Sequence, residues 1–255
     1  CMNDSPTTNE YSRTLRIGLA AIPLALLLSL PAAASTPAGL SKHETETLSD
    51  SIQVLNDLAS APDKGIPQEL LGKADCILIF PNVAKGAFIV GGKGGHGVAS
   101  CRQPSGIMSS VAFYTVGGAS IGFQIGGQTA DVVMLIMNEK GVNHLLSDKF
   151  TIGGEATATA GPVGRTVLAA TDAQMHAQIL TWSRSQGLFV GAALDGSVVK
   201  PDKDSNQHLY GQATSGKEIL VDSKLMVPSP AKAVVKEIRE HMAAAVAQEK
   251  AEEKH

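Results

Sequence analysis

Between Cys76 and Met137 glycine punctuates the sequence every few residues. Short apolar runs alternate with it: Cys76–Phe80, Gly86–Val90, Gly97–Arg102, Met108–Val116, Ser120–Ile125 and Val132–Met137. Runs of this length, bounded by glycine, read as the strands of a meandering, mostly antiparallel sheet. Glycine at strand ends permits tight turns and bulges, which is how a sheet bends enough to close on itself. The expected fold class is therefore α+β, a curved, largely antiparallel, barrel-like sheet with a few packed helices. Further strands are expected at 150–152, 166–170, 177–184 and 188–199.

The helices are read from apolar spacing. Leu48, Ile52, Leu55 and Ala59 recur at three- and four-residue intervals, which predicts a helix over 41–60 with Ser41 as its cap. Pro67 opens a short helix running to about Ala74. Asn138–Ser147 carries Val142, Leu145 and Leu146, and 201–210 reads as a polar helix closing on Tyr210-Gly211. Near the C-terminus Ser229 can cap and Pro230 stands where proline is tolerated. Val234, Val235, Ile238, Met242 and Val246 then form one narrow stripe, with Lys232, Lys236 and Arg239 outside it. Such a helix either packs on the domain or lies in a membrane interface with those three basic residues toward the headgroups.

Composition narrows the function classes. The 255 residues are 44% hydrophobic and 18% charged, so disorder throughout is excluded. A net charge of −3 and a pI of about 6.2 give no overall attraction to nucleic acid. Residues 13–34 read as a secretory signal: Arg13 and Arg16, an apolar run from Ile17 to Leu30, then Pro31-Ala32-Ala33-Ala34. The run is shorter than the roughly 20 residues of a membrane span, so cleavage near Ser35 is expected. The expected organisation is a signal at 1–34, a domain at 35–228 and a C-terminal helix and tail at 229–255. In an oxidising compartment Cys76 and Cys101 can form a disulfide; two small buried free thiols fit equally.

No catalytic constellation is convincing. Gly118-Ala119-Ser120-Ile121-Gly122 fits the nucleophile-elbow pattern, and Asp195 and His208 follow in hydrolase order. That chemistry needs Ser120 on a strand-to-helix turn, whereas Phe123–Gly127 extends as strand and glycine turn. Gly91–Gly97 lacks the Ser/Thr of a phosphate loop, although Lys93 and open glycine amides can touch a lipid headgroup. Asp202–Asn206 opens like a calcium loop but has no glutamate at its twelfth position. The histidines have no metal-ligand spacing, so neither a metal nor a cofactor is expected.

Several ordered motifs resemble the SYLF domain family. They include Ile66-Pro67, Ala74-Asp75-Cys76-Ile77, Phe80-Pro81-Asn82-Val83, Lys85-Gly86 and Gly95-His96-Gly97-Val98. They continue with Gly122-Phe123-Gln124-Ile125-Gly126, Ala160-Gly161-Pro162-Val163-Gly164-Arg165 and Ser183-Arg184-Ser185-Gln186-Gly187-Leu188-Phe189-Val190-Gly191, and close with Asp195-Gly196 and Tyr210-Gly211. Coverage is roughly residues 45–215.

The resemblance implies binding rather than catalysis: eukaryotic members bind phosphoinositide-rich membranes and fungal members bind actin. The expectation carried over is a non-enzymatic domain for anionic phospholipid headgroups in the periplasm or on the cell envelope. Actin is unexpected as a partner after export. The basic candidates within family motifs are Lys85, Lys93, Arg165 and Arg184, the last two with an equally good structural reading. The alternatives are a lipid-ester hydrolase using Ser120 and a structural envelope protein acting through protein partners.

Overall fold

In a computed structural model the chain is described over residues 39–60, 65–163, 176–185, 188–222 and 225–252, with backbone alone at 59–60, 85–91, 120–128, 249 and 252. Two strands dominate: β1 (Cys76–Cys101) with 26 residues and β2 (Ala112–Ile136) with 25. They pair antiparallel from Cys76 opposite Ile136 to Ala99 opposite Ala112. The six short strands expected from the glycine punctuation are thus two long ones. Glycine keeps both its N–H and its C=O, so Gly86 opposite Gly127 and Gly94 opposite Gly117 continue the ladder instead of ending it.

The ribbon curls round until its ends meet. At about 3.3 Å per residue, 26 extended residues would span roughly 85 Å. Yet the first and last residues of β1, Cys76 and Cys101, are joined by a disulfide, and the Arg102 amide donates to the Asp75 carbonyl at 2.6 Å. Register shifts between Phe80 and Val83 and between Ala87 and Ile89 mark the bends. The first bend contains Pro81, which has no N–H for the ladder, and Asn82 at φ 53°. The Asn82 amide donates to Asp131 Oδ1 at 3.0 Å and its side chain to Asp50 Oδ2 at 2.9 Å. Where the ribbon folds over, a Cβ on Gly97 would stand 2.2 Å from the Ile79 carbonyl oxygen, so only glycine allows this approach.

The remaining strands extend this sheet. Short β3 (Phe150–Thr151) pairs with β7 (Val198–Pro201), and β7 pairs with β2 near Tyr114–Gly117. Further along, β5 (Ile179–Ser185) pairs with β2 at Asp131–Ile136. Its other edge carries β4 (Ala158–Ala160), in parallel, and β6 (Leu188–Gly191), antiparallel. The strand expected at 166–170 lies outside the described residues. The single run expected at 188–199 is two strands, split by the Asp195-Gly196 turn with Gly196 at φ 75°.

Both faces of the sheet are buried, and the alternation along β1 shows it. Cys76, Leu78 and Phe80 point inside the curl with Tyr114, Val132, Met134, Phe150 and Val199. Ile77 and Ile79 point the other way, to a second core with Phe113, Val133, Leu135 and Trp182. Three helices supply that second core: α1 (Lys42–Ser60), α2 (Gln68–Lys73) and the C-terminal α6 (Lys232–Glu252). Ser41 and Glu44 cap α1 reciprocally, the Glu44 amide donating to Ser41 Oγ at 3.2 Å and the Ser41 amide to Glu44 Oε2 at 2.6 Å. Three shorter helices complete the described fold: α3 (Glu139–Leu145) after β2, α4 (Lys203–Tyr210) after β7, and α5 (Gly216–Leu220) after α4, the last capped by Ser215 and Glu218.

Ser229 and Pro230 stand in a short 3-10 turn leading into α6. The α6 stripe is not free: Val234, Val235, Ile238 and Met242 are buried against the second core. The interfacial reading of this helix is therefore replaced by the packed one.

Candidate functional site

The sequence candidates for headgroup contact are scattered over the fold. Lys85 lies in β1 opposite Gln128, within the stretch described by backbone alone. Arg165 lies outside the described residues. Lys93 sits further along β1 opposite Gly118, half-buried.

Arg184 is held inside the fold. Its Nη1 lies 2.7 Å from Asp57 Oδ2 on α1 and 3.0 Å from Asp131 Oδ2 on β2, and its guanidinium stacks 5.7 Å over the Phe189 ring. Two carboxylates hold its single charge, which makes it a tie between α1, β2 and β5.

The basic residues of α6 differ among themselves. Arg239 Nε donates to the Met108 carbonyl at 2.9 Å, Lys236 pairs with Glu240 at 3.5 Å, and Lys232 is exposed. The apolar stripe beside them is buried against the second core.

The hydrolase reading fails on backbone geometry. Ser120 lies in mid-strand, paired with Gly91, and β2 continues past it to Ile136, so no strand-to-helix turn stands at Ser120. Asp195 stands in the β6–β7 connection against Gly153. His208, on α4, has its Nδ1 2.7 Å from Glu44 Oε1 of α1. The three residues lie on three different elements of the fold.

A polar cleft of about 640 Å³ opens between α1 and the curled ribbon, bordered by His43, Glu46, Asp50, His96 and Lys200. The His43 and His96 rings meet edge-on at 4.4 Å, and His96 Nδ1 lies 3.1 Å from Asp202 Oδ2. Charges of both signs line it, so it has no clear preference for a charged ligand. Among the described residues no group of three or more His, Cys, Asp or Glu is placed to hold a metal.

The surface that composition could not reveal is apolar. Leu188 and Val190 alternate along β6 and are 52% and 53% exposed, while Phe189 between them is buried. Val163 is 47% exposed. The chain leading to it is drawn against β6, because Gly191 meets the Gly161 carbonyl where a Cβ would stand 2.3 Å away. Beneath them Trp182 is fully buried and donates Nε1–H to the Pro162 carbonyl at 2.9 Å. A Cβ on Gly161 would stand 2.0 Å from the Trp182 ring, so glycine is required there. Leu188, Val190 and Val163 are thus exposed aliphatics near the buried Trp182. The signal in the sequence was the alternation of Leu188-Phe189-Val190, which reads as strand but does not say which side is covered.

Comparison with known proteins bears on what such a domain is. A family model described as "Ysc84: Las17-binding protein actin regulator" matches residues 117–241, which take in most of β2 and every element from α3 to the first half of α6. The chain belongs to the Ysc84 (SYLF) family. "SH3 domain-containing YSC84-like protein 1" of Xenopus laevis is 32% identical over 154 residues, 60% of this chain and 46% of the relative. The Homo sapiens protein of the same name is 30% identical over 195 residues, 75% of this chain and 56% of the relative. "Protein YSC84" of Saccharomyces cerevisiae is 30% identical over 172 residues, 66% of this chain and 36% of the relative. The chain thus spans about half the length, or less, of the curated relatives it matches. The β6 face, Arg184 and Asp131 lie within the stretch matched by the Ysc84 model, whereas α1 with Asp57, α2 and all of β1 precede it.

Proposed function

We propose that this Ysc84 domain is a non-enzymatic module that docks on anionic phospholipid membranes through the outer face of β6. The observation that carries the reading is the joint exposure of Leu188, Val190 and Val163 on one edge of the sheet. Aliphatic side chains presented this way gain from entering the boundary between headgroups and acyl chains. A basic residue is close by: Lys93 shares a pocket with Ala192, Ala193 and Leu194, the residues that follow β6. Each basic group near an anionic surface adds about 1 kcal/mol. Lys85 and Arg165 are the further candidates for that attraction. The Cys76–Cys101 disulfide supports export to the periplasm or envelope, since disulfides persist in oxidising compartments.

Co-sedimentation with vesicles tests the reading. At low salt the protein is expected in the pellet with phosphatidylglycerol-containing vesicles and not with phosphatidylcholine alone, and added salt should release it. Background recovery with both vesicle types would sink it. A second reading, binding to a protein partner through the same face, is favoured by the family description, which names Las17 binding and actin regulation. It predicts no vesicle pelleting under any salt condition.

A further inference from the structure

The polar cleft between α1 and the curled ribbon holds an uncompensated charge of each sign, one on its helix wall and one on its sheet wall. Asp50 stands on the helix wall. Its Oδ2 accepts from Asn82 Nδ2 at 2.9 Å and its Oδ1 from Ser49 Oγ at 3.5 Å, both neutral donors. No cation is paired with it among the described residues. Glu46, one turn earlier, differs, because Lys42 lies 3.4 Å from it. Lys200 stands on the sheet wall, exposed and without an ion pair among the described residues.

Strand register sets what stands beside Lys200. Thr115 of β2 is opposite His96 of β1 on one side and Lys200 of β7 on the other. Residues paired this way share a face of the sheet, about 5 Å from one to the next. His96, Thr115 and Lys200 therefore form one row, and all three border the cleft. The helix stands over the His96 end of that row, where the His43 ring meets His96 edge-on at 4.4 Å. The carboxylate nearest the row, Asp202, is already engaged by His96 Nδ1 at 3.1 Å and by the Ser205 amide at 3.2 Å. The row thus offers the Lys200 ammonium and the Thr115 hydroxyl to a new acceptor. Asp50 lies two turns beyond His43, about 10 Å along the helix.

We propose that this cleft binds a short peptide with free termini, its carboxylate at Lys200 and Thr115 and its ammonium at Asp50. The mixed lining gives no preference for a single sign of charge, and a zwitterion uses both. A carboxylate accepts from an ammonium and a hydroxyl at once, and a peptide ammonium only donates, as Asp50 requires. Spacing sets the length. A free amino acid holds its two charges within one residue, whereas an extended tripeptide spans roughly 10 Å. The volume, about 640 Å³, is that of a small-ligand site. Binding forms no covalent bond. The proposal is independent of membrane docking at β6, because soluble probes test it without vesicles.

The test is calorimetric titration of the full chain with trialanine, with its N-acetylated and C-amidated forms, and with alanine. Free trialanine is expected to bind saturably. Blocking either terminus should weaken binding about tenfold, which is about 1.4 kcal/mol, and alanine should bind more weakly than trialanine. Lys200→Gln should weaken free trialanine about tenfold and leave the amidated form unaffected, since that form has no carboxylate. Asp50→Asn keeps an acceptor for Asn82; it should weaken free trialanine about tenfold and leave the acetylated form unaffected. A general disturbance of the cleft would instead weaken all forms alike, which would overturn the assignment of the two ends. Absence of saturable trialanine binding overturns the proposal, as does equal affinity for the blocked peptides or for alanine. Parental affinity for trialanine in either variant would overturn it too. Vesicle pelleting would be unaffected by any of these failures.

Discussion

His208 Nδ1 on α4 stands 2.7 Å from Glu44 Oε1 in the first turn of α1, joining two helices 164 residues apart in the chain. Glu44 is nearly buried while His208 is partly exposed. Burial would push the Glu44 carboxyl up, but hydrogen bonds involving His208, Ser41 and Ser205 outweigh it and hold the group below its ordinary 4.5. The hydrogen bond to Glu44, and then its charge, hold His208 above its ordinary 6.5, with Asp204 and Asp202 adding in the same direction.

The sign of the resulting pH dependence follows from linkage. A raised histidine contributes stability that is fully present below its ordinary value and is lost as pH rises through the folded value. A lowered carboxylate contributes stability present above its ordinary value and lost as pH falls through the folded one. Both contributions are complete between the ordinary values of 4.5 and 6.5. His208→Gln should therefore lower the melting temperature most in that window, and the gap to the parent should close toward alkaline pH. Thermal melts followed by circular dichroism across pH check this. A gap independent of pH would contradict it.

Arg184→Met separates the structural role of this arginine from a headgroup role. Removing the guanidinium leaves Asp57 and Asp131 partly buried without their cation, a loss of about 1–3 kcal/mol in urea unfolding. Vesicle recovery of the folded variant should stay at the parent level. Unchanged stability with lost recovery would point to Arg184 as a lipid ligand.

Gly161→Ala should be among the most damaging single-methyl changes in the protein. The new Cβ would fall 2.0 Å from the Trp182 ring, whose indole N–H is tied to Pro162, so neither side can move freely. Over-packing of this kind costs about 1–3 kcal/mol and here should reach the top of that range. Trp182 is the sole tryptophan, so its fluorescence reports the site directly, and the variant should emit further to the red. An unshifted spectrum at parental stability would contradict the packing described.

Much of this architecture is legible in the sequence. The α1 stripe, the Ser41 cap, the helix after Asn138 and the Gly211 stop were all read from spacing and capping chemistry, and they stand in the fold. The SYLF resemblance pointed to the family that the comparisons show. The long strands were not legible, because glycines that continue a ladder and glycines that end one look alike in sequence. Nor was α5, five residues whose signal is the Ser215–Glu218 capping box alone. The site was the least legible part. A basic residue in a motif reads the same whether carboxylates wait for it, as Asp57 and Asp131 do for Arg184, or not. The exposure of Leu188 and Val190 depends on what the rest of the chain leaves uncovered.

The central claim is that β6 presents a membrane-docking face, and the double variant Leu188→Ser, Val190→Ser tests it most directly. Both side chains already face solvent, so folding should be unchanged by circular dichroism. Each aliphatic side chain taken from water contributes about 1.5–3 kcal/mol when fully buried. Partial insertion of two should still make binding to phosphatidylglycerol vesicles at least tenfold weaker in the variant. The account predicts a folded variant that remains in the supernatant where the parent pellets. A folded variant that pellets as the parent does would contradict it.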